Sequence, residues 1–256
     1  MRRLIINADD YGLSDGICRA IHQLIDAGAV SSTTMMLAAE GAIARCRKWN
    51  VGQLVGKVGV HLQVTDGRPI LPRAQISGLI NQRTGKFRSK SELAGLDPSD
   101  VEKEWRAQIE VAHELLKDKP SHLDSHHGAN HVPSLVDVFI KLACEFDLPI
   151  RDCTAMHEYR PDLMLRGSQI VLYEWTARRL NAVDLQNQIR KALSDSRDDD
   201  ILEVVTHPGY SDADLRSIST LNDLREADFT SLLDLMNAHW LKQERIQLIS
   251  FHEIHR

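Results

Sequence analysis

A chain of 256 residues that is 43% apolar and 26% charged has the balance of a folded globular protein, which excludes disorder, and the length suits a single α/β domain over residues 1–256. The formal net charge of −5 leaves no basic field for a nucleic-acid partner, and no apolar run reaches the length that crosses a bilayer. Cys18, Cys46, Cys144 and Cys153 are scattered without CxxC spacing. They read as reduced core residues rather than a disulfide framework or a thiolate zinc site.

The opening MRRLIINADD holds too short an apolar run for a secretory signal, so a cytoplasmic location is expected. RLIINA (3–8) predicts the first strand. Ser14 caps a helix whose Ile17, Ala20, Ile21, Leu24 and Ile25 recur at helical spacing, with Gly28 as its stop. SSTTMML (31–37) and KVGVHLQV (57–64) predict two more strands. Residues 66–96 are rich in Gly, Pro and polar residues and predict a long excursion of the kind that shapes active sites.

Asp97-Pro98 opens a long helix with Val101, Trp105, Ile109, Ala112 and Leu116 as its buried face. SHLDSH (121–126) predicts a strand, 133–146 a helix and LPIRD (148–152) another strand. The pattern lapses over 154–168, then reads as helical to about residue 194. ILEVVTH (201–207) and IQLIS (246–250) are strands flanking a helical 223–243. Short β-type runs alternating with helices predict a TIM-like (β/α) barrel or sheet of about seven parallel strands.

In five runs apolar residues lead and ionisable residues follow: Asp9 and Asp10, then His61, then His122, Asp124 and His126, then Arg151, then His207. In a parallel barrel all these ends lie on one face. His122, Asp124 and His126 alternate with Leu123 and Ser125 and so share one side of an extended strand. Three such groups in a dry apolar core would cost several kcal/mol in unmet hydrogen bonds, a penalty that a metal or a wet cleft removes. Asp10, His61 and His126 are the candidate ligands, a carboxylate and two imidazoles that leave positions open, as catalytic metal sites do. His122 and Asp124 are placed to orient a ligating imidazole, with His127 beside them, and Asp9 to act as a base toward water. Arg151 reads either as a substrate or oxyanion contact or as an ion-pair partner of an aspartate. Taken singly, His61, Asp9–Asp10 and THPGY (206–210) are ordinary strand-end and turn chemistry; their coincidence argues for a site. No GxGxxG, Walker, GxSxG or HExxH motif is present.

INADDYGLSDGICRAI, VSSTTMML, VGVHLQVTDGRPIL, PSHLDSHHGANHVP and VVTHPGY, in that order, resemble the YdjC/ChbG family of carbohydrate deacetylases. The resemblance implies a polysaccharide-deacetylase barrel, one divalent metal with magnesium ahead of zinc or manganese, a small N-acetylated chitooligosaccharide-like substrate, and a homodimer. It matches Asp10, His61 and His126 to metal ligands, Asp9 to the base and His207 to the proton donor. Gly128 and Asn130 stand where the family's DSHHHVH stretch carries histidines, which leaves the outer wall of the site and the exact substrate open. A metal-dependent phosphoesterase or other amidohydrolase, and a silent sugar-binding protein, are the rival readings.

Overall fold

The computed structural model describes residues 1–173, 181–237 and 239–254. Its strands among these residues are β1 (Arg2–Tyr11), β2 (Ser32–Met35), β3 (Val58–Leu62), β4 (Leu123–Ser125), β5 (Ile170–Leu172), β6 (Ile201–Thr206) and β7 (Ile246–Leu248). All pair in parallel, in the order β4-β3-β2-β1-β6-β5, with β7 also on β1. Between them run α1 (Asp15–Asp26), α2 (Ala42–Lys48), α3 (Pro98–Leu116), α4 (Val136–Glu145), α5 (Cys153–Tyr159), α6 (Ala182–Ser194), α7 (Ala213–Ile218), α8 (Asp223–Asn237) and α9 (Trp240–Gln243). This is the expected α/β barrel architecture.

β1 is the central stave, buried from Leu4 onward. It pairs with β6 along Arg3–Ala8, with β2 along Asn7–Tyr11, and with β7 only along Arg2–Leu4. β2 and β7 thus share one edge of β1, at opposite ends. On the far side, single parallel bridges Leu123↔Ile150 and Ile150↔Gly167 carry the ladder from β4 towards the chain entering β5. A sheet closing on itself needs no free edge there.

The helices form where the spacing predicts. Ser14 Oγ accepts the Ile17 N–H at 3.2 Å to start α1, whose Ile17, Ile21 and Leu24 are fully buried, and Gly28 takes the left-handed φ of 69° beyond its end. The Asp97 carboxylate accepts the Ser99 N–H, and Val101, Trp105, Ile109, Ala112 and Leu116 are all buried.

Several expectations are corrected. LPIRD is not a strand: only Ile150 bridges, because Asp152 turns left-handed to cap α5, a helix lying where the pattern lapses. β5, three half-buried residues, lies in the stretch read as helical. The 133–146 helix starts at Val136. The helical 223–243 divides into α8 and α9. Cys18, Cys46 and Cys153 are buried free thiols, but Cys144 is exposed. Residues 174–180 of the stretch read as helical lie outside the described residues. No helix among the described residues is long and apolar enough to cross a membrane.

The 66–96 excursion carries short 3-10 turns at Arg73–Gln75, Ser77–Leu79 and Lys90–Gly95. A buried polar network from α3 anchors its root. The Gln63 N–H donates to Gln108 Oε1 and Gln108 Nε2 to the Gln63 carbonyl, while Glu104 accepts from Gln108 Nε2 and from the Ile70 and Leu71 N–H groups.

Candidate active site

The site is built where β1 loses register with β2 between Ala8 and Tyr11. Asp10 takes a left-handed φ of 72° there, so two consecutive buried carboxylates aim differently. Arg151 donates from Nη2 to Asp9 Oδ1 at 2.7 Å and from Nη1 to Asp9 Oδ2 at 3.0 Å, and Asn7 Nδ2 donates to Oδ1 at 2.7 Å. Burial alone would raise the Asp9 carboxyl, but Arg151, with His61 and His207, outweighs it and holds the group well below the ordinary carboxylate range. Burial of Asp10 is likewise outweighed, first by Arg225, whose Nη2 donates to Oδ2 at 2.6 Å.

Asp10 Oδ1 is buried and has no hydrogen-bond partner among the described residues. It lies 3.7 Å from His61 Nε2 and 4.0 Å from His126 Nδ1, and those two nitrogens are 3.3 Å apart. His61 Nδ1 is 2.7 Å from Asp124 Oδ1, which keeps the imidazole proton on Nδ1 and turns the Nε2 lone pair towards Asp10. Ligand atoms about 2.1 Å from one divalent cation sit roughly 3.0 Å from each other at a right angle and up to about 4.2 Å when opposed. An orphaned carboxylate oxygen and two facing imidazole nitrogens at these separations fit such a cation, and Asp10, His61 and His126 form one of the candidate metal groups. Burial works against the His61 imidazolium, but Asp124, Asp9 and Asp10 prevail and raise it to about 9.

Arg151 is buried, and three carboxylates occupy its Nε and both Nη atoms: Glu203 at 2.7 Å, Asp124 at 2.8 Å and Asp9. The ion-pair reading of Arg151 is the one this geometry supports. Glu203 also accepts from Ser168 Oγ at 2.7 Å; its burial, only partly offset by Arg151, lifts its carboxyl to about 7. His122 stacks on Phe251 with centroids 3.7 Å apart, with Nδ1 2.9 Å from Ser121 Oγ. A Cβ at Gly59 would sit 2.4 Å from that Nδ1, so the missing side chain makes room for the ring. No hydrogen bond joins His122 to His61 or His126 among the described residues; of the two neighbours assigned to orient an imidazole, Asp124 is the one in contact.

β4 ends at Ser125 and His126 begins a tight turn, so His122, Asp124 and His126 do not make one continuous ladder. Asn130 holds that turn: its N–H donates to Ser125 Oγ at 2.9 Å, and the same hydroxyl donates to Asn130 Oδ1. Gly128 supplies a left-handed φ of 67°. His127 stacks on His126 with centroids 3.8 Å apart, and its Nδ1 lies 3.0 Å from Thr65 Oγ1. Burial and His126 push His127 down to about 4. His207 follows β6; its N–H donates to Asp228 Oδ2 at 3.0 Å, its Nε2 is 3.9 Å from Asp9 Oδ2, and burial pushes its pKa below the ordinary value.

Asp9, Asp10, His61, His126, His127, Arg151 and His207 line one cavity of about 570 Å³, together with Met36, His131, Tyr173 and Ile218. Sequence reasoning missed Glu203, Ser168, Asp66 and Arg225. A glutamate inside the apolar ILEVVT was a usable signal for the first. Arg225 gave none, since LNDLREADF reads as any surface helix.

A parallel α/β sheet curled into a barrel, with carboxylates and imidazoles gathered where its strands end, defines a barrel of the polysaccharide-deacetylase fold. A Streptococcus mutans CE4 esterase shares that fold, with a TM-score of 0.56 at 9% identity over 97% of this chain and 85% of its own. The chain belongs to the YdjC-like protein family, whose model matches residues 3–243. It is 36% identical to a carbohydrate deacetylase of Oceanobacillus iheyensis over 94% of this chain and all of that one. A carbohydrate deacetylase of Halalkalibacterium halodurans is 33% identical over 90% and 94%. An Enterococcus faecalis structure whose name gives cellobiose-phosphate cleavage superposes with a TM-score of 0.86 at 24% identity, covering 98% of this chain and 97% of that one.

Proposed function

We propose that residues 1–256 form one domain that hydrolyses the N-acetyl group of a small chitooligosaccharide-like sugar, using one divalent metal, magnesium by family resemblance. The observation that carries this reading is the unpartnered Asp10 Oδ1 facing His61 Nε2 and His126 Nδ1, with Asp9 and His207 lining the same cavity. Relatives named carbohydrate deacetylase that align along nearly the whole chain support it.

A divalent metal held by Asp10, His61 and His126 would supply Lewis-acid chemistry, polarising the amide carbonyl and making water a stronger acid. Asp9, locked in orientation by Arg151, takes the proton of the water that adds to the carbonyl carbon. His207, as the imidazolium, gives a proton to the sugar nitrogen as the C–N bond breaks. Passage of the Asp9 proton to His207, across 3.9 Å, restores both groups and leaves acetic acid and amine, which part as acetate and ammonium once the acid gives its proton to the amine.

The test is acetate release from short N-acetylated chitooligosaccharides by metal-replete protein, beside a chelated sample and His126→Ala. Release abolished in both controls is expected. Metal binding that needs His126, without any acetate release, would overturn the substrate and bring a phosphoesterase or binding role forward.

A further inference from the structure

His126 faces Asp10 and His61 with Nδ1, whereas His61 faces them with Nε2. A neutral imidazole has one lone pair and one N–H, so ligation by these atoms demands opposite tautomers, His61 protonated on Nδ1 and His126 on Nε2. Asp124 secures the first. The carboxylate beside the second nitrogen is Asp66, whose Oδ2 lies 3.5 Å from His126 Nε2.

We propose that Asp66 is the positioning residue for His126, accepting its Nε2–H and so fixing the tautomer and ring angle that present Nδ1 to the metal. The inference rests on the reading of Asp10, His61 and His126 as metal ligands.

Asp66 is 71% exposed as a side chain, yet its backbone is bolted down on both sides. Gln63 Nε2 donates to the Asp66 carbonyl at 3.2 Å, and Gln63 is gripped by Gln108. Gly67 follows at a φ of 95°, packed so closely that a Cβ would lie 2.2 Å from the Ala38 carbonyl oxygen. The Arg68 N–H donates to that same oxygen at 2.8 Å. Asp66 itself has a left-handed φ of 50°, a conformation that aspartate tolerates better than most residues. A carboxylate held this way on a fixed peptide keeps its bearing on His126 despite its exposure. His127, placed by Thr65, stacks on the His126 ring; its Nε2 lies 3.8 Å from the same Asp66 oxygen.

The experiment is calorimetric titration of metal-stripped protein with Mg²⁺, Mn²⁺ and Zn²⁺ for the parent, Asp66→Ala, Asp66→Asn and His61→Ala, with thermal melting alongside. Loss of an outer carboxylate partner weakens metal binding by about 10–100-fold, so Asp66→Ala is expected to do so, with a melting midpoint lowered only by the small cost of a left-handed alanine. Asp66→Asn, which keeps an acceptor oxygen, is expected to recover part of the loss. Binding by Asp66→Ala within about twofold of the parent, against that 10–100-fold range, overturns the inference alone, provided His61→Ala abolishes binding. Equal losses in both Asp66 variants with a melting midpoint lowered beyond that cost assign the residue to folding and overturn it too. A parent that binds no divalent cation, or binds it equally after His61→Ala, overturns the ligand reading and this inference together.

Discussion

In the proposed mechanism the partners of Asp9 supply orientation rather than basicity, since they hold its carboxyl well below the ordinary range. Arg151 and Asn7 fix both carboxylate oxygens, so the group is ionised and oriented before substrate arrives. Asp9→Asn keeps the shape and removes the proton acceptor; kcat is expected to fall by about 10²–10⁴ with KM little changed. A kcat within a factor of three or so of the parent would be too small a loss for a general base. Glu203 belongs to the same cluster and carries a pH signature. Its folded value near 7, against an ordinary 4.5, means the folded chain holds this proton more tightly than the unfolded one. That stabilisation is full below about pH 4.5 and is lost as pH rises through 7. Glu203→Gln removes the slope, so its unfolding free energy relative to the parent should climb by about 2–3 kcal/mol from pH 5 to pH 8. Denaturant titrations at both pH values check this, and a flat difference refutes it. The ligand candidates were legible because polar residues ending apolar runs break a pattern. Arg225 and Asp66 were not, because an arginine on a helix and an aspartate in a loop break none.

Among the elements, the excursion after β3 shows how a long loop is held. Gly67 has a φ that side chains seldom adopt and an Ala38 carbonyl where a Cβ would go. Gly67→Ala is expected to cost about 1–3 kcal/mol and to expose residues 66–96 to protease before the rest of the chain unfolds. Denaturation midpoints and the first proteolytic cut report on both; a parent-like cleavage pattern would show that the loop has other anchors. The helices α1 and α3 were readable because caps and spacing agree. β5 was not, because three half-buried residues carry neither alternation nor a sustained apolar run. Ile150 misled in the other direction: LPIRD has strand composition, but the ladder needs only one of its residues.

Across the whole molecule, order is uneven around the barrel. β1 is flanked along its length by β2, β6 and β7, whereas the seam at Ile150 and Gly167 rests on single bridges. Amide hydrogen exchange should therefore be slowest in β1 and β6 and markedly faster at Ile150 and Ser168. Equal protection around the ring would contradict this unevenness.

The placement of β1 also has a consequence in time. The strand that carries Asp9 and Asp10 is made first, yet its longest partner is β6 (Ile201–Thr206) and its last is β7 (Ile246–Leu248). A ribosome adding about 5–20 residues per second takes roughly ten to forty seconds to travel from one end of that pairing to the other. Through that interval one edge of β1 waits unpaired, and the two aspartates wait for arginines that arrive at positions 151 and 225. The centre of the site is among the earliest residues synthesised and among the last to be assembled.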